Sequence, residues 1–81
     1  MLIMENKRNQ EESSEVLINL GKRIKALRLE RNWTQEKLAE RAKINDKEVS
    51  HIEAGRRNIT IETLVKIANS FDTKPHVILQ D

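Results

Sequence analysis

Residues 34–53 read TQEKLAERAKINDKEVSHIE (Thr34–Glu53), and the fold turns on this stretch. It carries two helix starts. Thr34 is placed to accept from the first-turn N–H groups of a following helix, with Trp33 and Leu38 at the N′ and N4 positions of a hydrophobic staple. Asn45 repeats the signal: Asn45 and Glu48 have the spacing of a capping box, and Ile44 and Val49 that of a second staple. The reading predicts a helix from Gln35 to about Ala42 that buries Leu38, Ala39 and Ala42. After Lys43, Ile44 and Asn45, a second helix runs from Asp46 to Ala54. Gly55 closes it as a left-handed cap would.

At about 100° per residue, Val49, Ile52 and Glu53 gather on one side of the second of these helices. Lys47, Ser50, His51 and Ala54 gather on the other, with Asp46 and Glu48 on the flanks. The outward face is compact and polar, without bulk, and suits close approach to another surface. Glu53 falls on the inward side, so it needs a partner there.

Working outward, the rest of the chain is also helical in pattern. Leu17, Leu20, Ile24 and Leu27 recur at three- and four-residue steps, which predicts a first helix capped by Ser14 and running to about Asn32. Thr60 caps a fourth helix, with Ile61, Leu64, Ala68 and Phe71 on one face and Val65 or Ile67 beside it. Pro75 suits the first turn of a short fifth helix ending in Val77, Ile78 and Leu79. Residues 1–14 are polar and weakly hydrophobic, so they are expected to form a flexible arm preceding a folded domain over 15–81.

The 81 residues suffice for one small domain, and the absence of cysteine removes disulfide frameworks and Cys-based zinc sites. No apolar run approaches the ~18 residues of a membrane span, and the N-terminal stretch lacks the apolar core of a signal peptide. A cytoplasmic protein without a membrane or cofactor is therefore expected. The net charge of +2 divides unevenly, with −2 over residues 1–15 and +4 over the remainder. Lys22, Arg23, Lys25, Arg28 and Arg31 crowd one segment, and Arg56 and Arg57 are adjacent. This favours a polyanionic partner.

Two helices joined by three residues, the second presenting a compact polar face, form a helix-turn-helix arrangement. The stretch TQEKLAERAKINDKEVSHIEAGRRNITIETLVKIANSFD resembles the phage repressor and Cro type of helix-turn-helix family, and in size and layout it looks most like controller proteins of restriction–modification systems, small phage repressors and some antitoxins. The resemblance is carried by Thr34-Gln35 with Leu38-Ala39, by Val49-Ser50, by Ile52-Glu53 with Gly55, and by Thr60, Glu62-Thr63-Leu64 and Ile67-Ala68. It implies an all-α, five-helix, lambda-repressor-like domain that binds double-stranded DNA as a homodimer, with the third helix in the major groove of a roughly palindromic operator. It implies base contacts from Asp46, Lys47, Ser50 and His51. Phosphate contacts fall on Thr34, Gln35, Asn45, Arg56, Arg57 and Asn58. It also implies that Arg28 pairs with Glu53 as a structural ion pair. Lys43, Ile59 and Asp72 depart from the family pattern, which often has glycine, proline and glycine at these places.

The apolar candidates for a dimer interface are Val65, Val77, Ile78 and Leu79, some of which would alternatively complete the core. An enzyme is not expected. Only His51 and His76 are present as histidines, no glycine-rich phosphate loop occurs, and Ser50 and His51 diverge by about 100° as helix neighbours. The rival reading is an adaptor or antitoxin of the same fold, with the acidic arm holding a protein partner such as a toxin. RNA polymerase is a further protein partner compatible with a transcription regulator.

Overall fold

The computed structural model describes the backbone of residues 2–79 and side chains from Ser14 onward. Met1, Gln80, Asp81 and the side chains of residues 2–13, most of the expected arm, lie outside the described residues. Five helices follow one another: α1 (Leu2–Glu30), α2 (Gln35–Ala42), α3 (Asp46–Glu53), α4 (Ile61–Ser70) and α5 (Pro75–Leu79). No strand occurs among the described residues.

The expected caps form. Thr34 Oγ1 accepts from the Lys37 N–H at 3.0 Å, Asn45 Oδ1 from Glu48 at 3.2 Å, and Thr60 Oγ1 from Thr63 at 3.1 Å. At Asn45 only this forward half of the capping box is present among the described residues. The first helix is a correction: it begins at Leu2, and Ser14 lies inside it instead of capping it. Residues 2–14 contain neither glycine nor proline, so nothing in their backbone chemistry interrupts a helix there.

Four helices close in the same way. Asn32, Lys43, Gly55 and Asp72 all take left-handed φ between 55° and 71°. In each case the next residue's N–H reaches back five residues: Trp33 to Arg28 O, Ile44 to Ala39 O, Arg56 to His51 O, and Thr73 to Ala68 O. This is the Schellman closure, which satisfies carbonyls that a helix end would leave bare. Only Gly55 adopts it without a Cβ penalty. Lys43 carries a cost of about 1–2 kcal/mol in the turn between α2 and α3.

The core draws on every helix. Ile24 of α1, Leu38 of α2, Val49 of α3, Ile67 of α4 and Ile78 of α5 are its most deeply buried large side chains. Each is worth roughly 1.5–3 kcal/mol in removed apolar surface. Two expectations fail here. Ile61 is 76% exposed, so Ile67 completes the buried face of α4 beside Leu64, Ala68 and Phe71. Ile61 occupies the first position of the helix, beyond the reach of its neighbours. Ile78 is 1% exposed and is core, not a surface available to a second subunit.

Alpha-helix α1 crosses α3 at Gly21. A Cβ there would lie 2.8 Å from the Glu53 carbonyl oxygen, with the Ile52 oxygen closer still. A mid-helix glycine costs about 1 kcal/mol against alanine, and this close backbone approach offsets it. Trp33 stacks on Phe71 at 5.6 Å, and the Arg31 guanidinium lies 4.8 Å from the Phe71 ring while donating to the Phe71 carbonyl at 3.1 Å. Arg31 thus ties α1 to the end of α4.

Candidate nucleic-acid interface

The inward side of α3 is fully committed. Val49 and Ile52 join the core, and the Glu53 carboxylate accepts three hydrogen bonds. Arg28 donates through Nε at 2.7 Å and Nη2 at 2.9 Å, and Gln35 through Nε2 at 3.0 Å. Arg28 Nη1 reaches the Trp33 carbonyl at 2.7 Å, so one guanidinium braces α1, the α1–α2 turn and α3. The pair's side chains are 9% and 4% exposed, and among the described residues no buried polar side-chain atom lacks a partner.

Hydrogen bonding to Glu53 raises the Arg28 pKa above the ordinary guanidinium value, against the opposing effect of burial. A raised folded-state pKa stabilises below the ordinary value and is lost only above the raised one. Near neutrality the arginine therefore introduces no pH dependence.

The outward side is open. Asp46, Lys47 and Ser50 are exposed and His51 is half-buried. None of their side chains makes a hydrogen bond or ion pair among the described residues, where the ion pairs involve Arg28, Lys37 and Lys66. Arg56, Arg57 and Asn58 are exposed in the loop directly after α3, with Ile59 half-buried beneath them. Thr34 and Asn45 are exposed at the starts of α2 and α3. Their side-chain oxygens are occupied by capping, so what these starts offer a polyanion is the remaining first-turn N–H groups and the positive end of the helix dipole.

Gln35 departs from the role that the resemblance implies. Its amide is half-buried and turned toward Glu53. The basic run of α1 also divides: Arg28 is buried and Arg31 half-buried, while Lys22, Arg23 and Lys25 remain exposed. Of the dimer candidates, Val65 is 37% and Leu79 51% exposed, and Val77 is half-buried. The sequence reading missed Gly21, whose signal was a glycine within an otherwise regular apolar repeat. It also missed Ile61 as an exposed apolar residue one turn before Val65.

Comparisons with known proteins converge. The helix-turn-helix family profile matches residues 24–78, more than half of the chain. The immunity repressor protein of Bacillus phage phi105 is 36% identical over 62 residues, covering 76% of this chain and 43% of that protein. The chain thus spans less than half the length of that relative. Control protein C.BamHI of Bacillus amyloliquefaciens is 28% identical over 68 residues, covering 83% of this chain and 84% of that one. Among solved structures, the restriction-modification controller protein C.AhdI from Aeromonas hydrophila superposes with a TM-score of 0.74 at 29% identity, covering 76% of this chain and 94% of that chain. The wild-type controller C.Esp1396I gives 0.71 at 33% identity, covering 78% and 81%.

Proposed function

The chain belongs to the helix-turn-helix family, and from that premise we propose that it is a sequence-specific, double-stranded-DNA-binding transcription regulator, not an enzyme, acting in the cytoplasm as a homodimer. The observation that carries this reading is the asymmetry of α3. One side is locked by the core and by Arg28, and the other presents Asp46, Lys47, Ser50 and His51 with no side-chain partner among the described residues.

In the proposed mechanism α3 enters the major groove. The Lys47 ammonium donates to guanine O6 or N7, and the Asp46 carboxylate accepts from cytosine N4. Ser50 and His51 contact neighbouring base edges. Arg56 and Arg57 neutralise phosphates beside the reading helix, and Asn58 with the starts of α2 and α3 fixes the register. Thr34, Gln35 and Asn45 contribute there chiefly through backbone N–H groups. Asp46 and Glu48 weaken binding to arbitrary DNA and so sharpen selectivity.

The exposed Val65 and Leu79, joined by Val77 and Ile61, support a two-fold interface over α4 and α5. A two-fold pair sets the reading helices about one DNA turn, ~34 Å, apart and calls for a near-palindromic operator. Residues 15–81 form the folded unit of this proposal, with residues 1–14 as an arm. Selection from a pool of random duplexes, followed by binding across salt, tests it. Enrichment of a near-palindrome bound tightly and lost as salt rises supports the reading. Weak, salt-independent binding without enrichment overturns it in favour of an adaptor or antitoxin, whose protein partner the arm would hold.

A further inference from the structure

Glu53 accepts more hydrogen bonds than its burial demands. Arg28 alone reaches both carboxylate oxygens, Oε2 through Nε at 2.7 Å and Oε1 through Nη2 at 2.9 Å, and supplies the opposite charge. The bond from Gln35 Nε2 to Oε1 at 3.0 Å adds neither a charge nor a first partner for an oxygen. Its effect is geometric. Gln35 is the first residue of α2 and Glu53 the last of α3, so the bond joins the outer ends of the two helices. Their inner ends are joined by the chain itself through Lys43, Ile44 and Asn45. The reading helix, about 12 Å long at 1.5 Å per residue, is therefore attached to α2 at both of its ends. Arg28 meets the same carboxylate from α1, so the two donors hold the end of α3 from two directions.

Resting on the DNA reading proposed above, we infer that the Gln35 side chain is a positioning residue for α3. It fixes the angle of the reading helix against the start of α2, and so carries the register set by phosphates at that start over to Lys47 and Ser50. One residue serves both ends of this link. At the first position of α2 the Gln35 backbone N–H falls outside the intrahelical pattern, and the Thr34 cap is occupied by Lys37, so the main chain is left for a phosphate. The side chain meanwhile turns inward to Glu53. Hydrogen bonds to base edges need donor and acceptor held to within a few tenths of an ångström, which a side chain delivers only from a firmly supported helix. Without the amide, α3 stays tethered to α1 by Arg28 but is free to tilt against α2. The fold survives and the reading suffers.

The test is a double-mutant cycle on duplex affinity, with the full chain at fixed salt. Gln35→Met keeps the length of the side chain and a good helix former but removes the amide. It is measured alone and together with Lys47→Ala, on the selected operator and on a scrambled duplex, with Arg57→Ala as the reference for a phosphate contact. Melting is expected to fall by only a few degrees, because Arg28 still holds both oxygens. Operator affinity is expected to fall about tenfold, the usual effect of losing one hydrogen bond to a charged group, while the scrambled duplex is bound nearly as before. In the Lys47→Ala background the same substitution costs much less, since little base reading is left to misalign. Arg57→Ala adds to Lys47→Ala without such coupling. A Gln35→Met variant that weakens both duplexes alike and adds to Lys47→Ala is a phosphate contact only, and overturns the positioning role. Melting as low as that of Glu53→Ala assigns the amide to the fold alone and overturns it too. Operator binding unchanged by Gln35→Met, with a wild type that discriminates, overturns the link and leaves the DNA reading standing. A wild type for which no duplex is enriched overturns the DNA reading, and the link with it.

Discussion

On the inward side of α3 the Glu53 carboxylate accepts three hydrogen bonds from two other helices, while on the outward side the side chains of Asp46, Lys47 and Ser50 make none among the described residues. The same eight-residue helix thus carries one set of groups committed to the interior and another left to solvent. The division follows from helix geometry. Glu53 lies beside Val49 and Ile52, and Lys47 and Ser50 lie roughly opposite them. A rigid inward side is also what makes a selective outward side workable, because a reading helix must be held at a fixed angle before its side chains can discriminate base edges.

The largest expected effect is on the inward side. Removing either Arg28 or Glu53 leaves a buried charge without its partner, and such a loss typically costs about 3–5 kcal/mol. Thermal melting of Arg28→Ala and Glu53→Ala should therefore show a fall of more than about 10 °C. An unchanged melting temperature would mean that the inward side is no more committed than the outward one. Gly21→Ala comes next. The new methyl group meets the α3 carbonyls, which are backbone and cannot swing aside, so denaturant titration should register a loss of about 1–3 kcal/mol.

On the outward side Lys47→Ala should leave stability within about 0.5 kcal/mol of the parent. Its cost should fall on operator discrimination, about 1–3 kcal/mol, measured as the ratio of affinities for selected and scrambled duplexes. Arg57→Ala should weaken both duplexes alike and reduce the slope of log affinity against log salt by about 1. If Lys47→Ala acts as Arg57→Ala does, Lys47 belongs with the phosphate contacts. The smallest effect expected is a gain: Lys43→Gly relieves a left-handed lysine at φ 59° and should stabilise by about 0.5–1 kcal/mol. No gain would indicate that the lysine side chain makes up for the strain.

What the sequence disclosed and what it hid divide along the range of the interactions. The caps at Thr34, Asn45 and Thr60 are contacts over three residues, so spacing alone reveals them. The inward position of Glu53 follows from helical period. Its partner lies 25 residues away and was legible only through family resemblance. Ile61 was misassigned because periodicity gives the face of a residue but not how far a neighbouring helix reaches along it. Ile78, offered as an interface residue, is core for the converse reason: α5 is five residues long, and most of one short turn faces inward or outward depending on its docking. The start of α1 was misplaced because Ser14 is a good cap only where a helix has cause to begin, and the preceding residues supply no breaker. Gly21 interrupts the apolar repeat of α1, but the interruption does not by itself name the helix whose backbone comes close there. Periodicity does not show that the Gln35 amide donates to the buried Glu53 carboxylate, which leaves its backbone N–H for the phosphate contact that the resemblance implies.

The most direct test of the division of α3 is a paired measurement on Lys47→Ala: its melting temperature, and its affinity for the selected operator against a scrambled duplex at fixed salt. The expected result is unchanged melting with most of the discrimination lost. Unchanged melting with discrimination intact would contradict the assignment of the outward face to base reading.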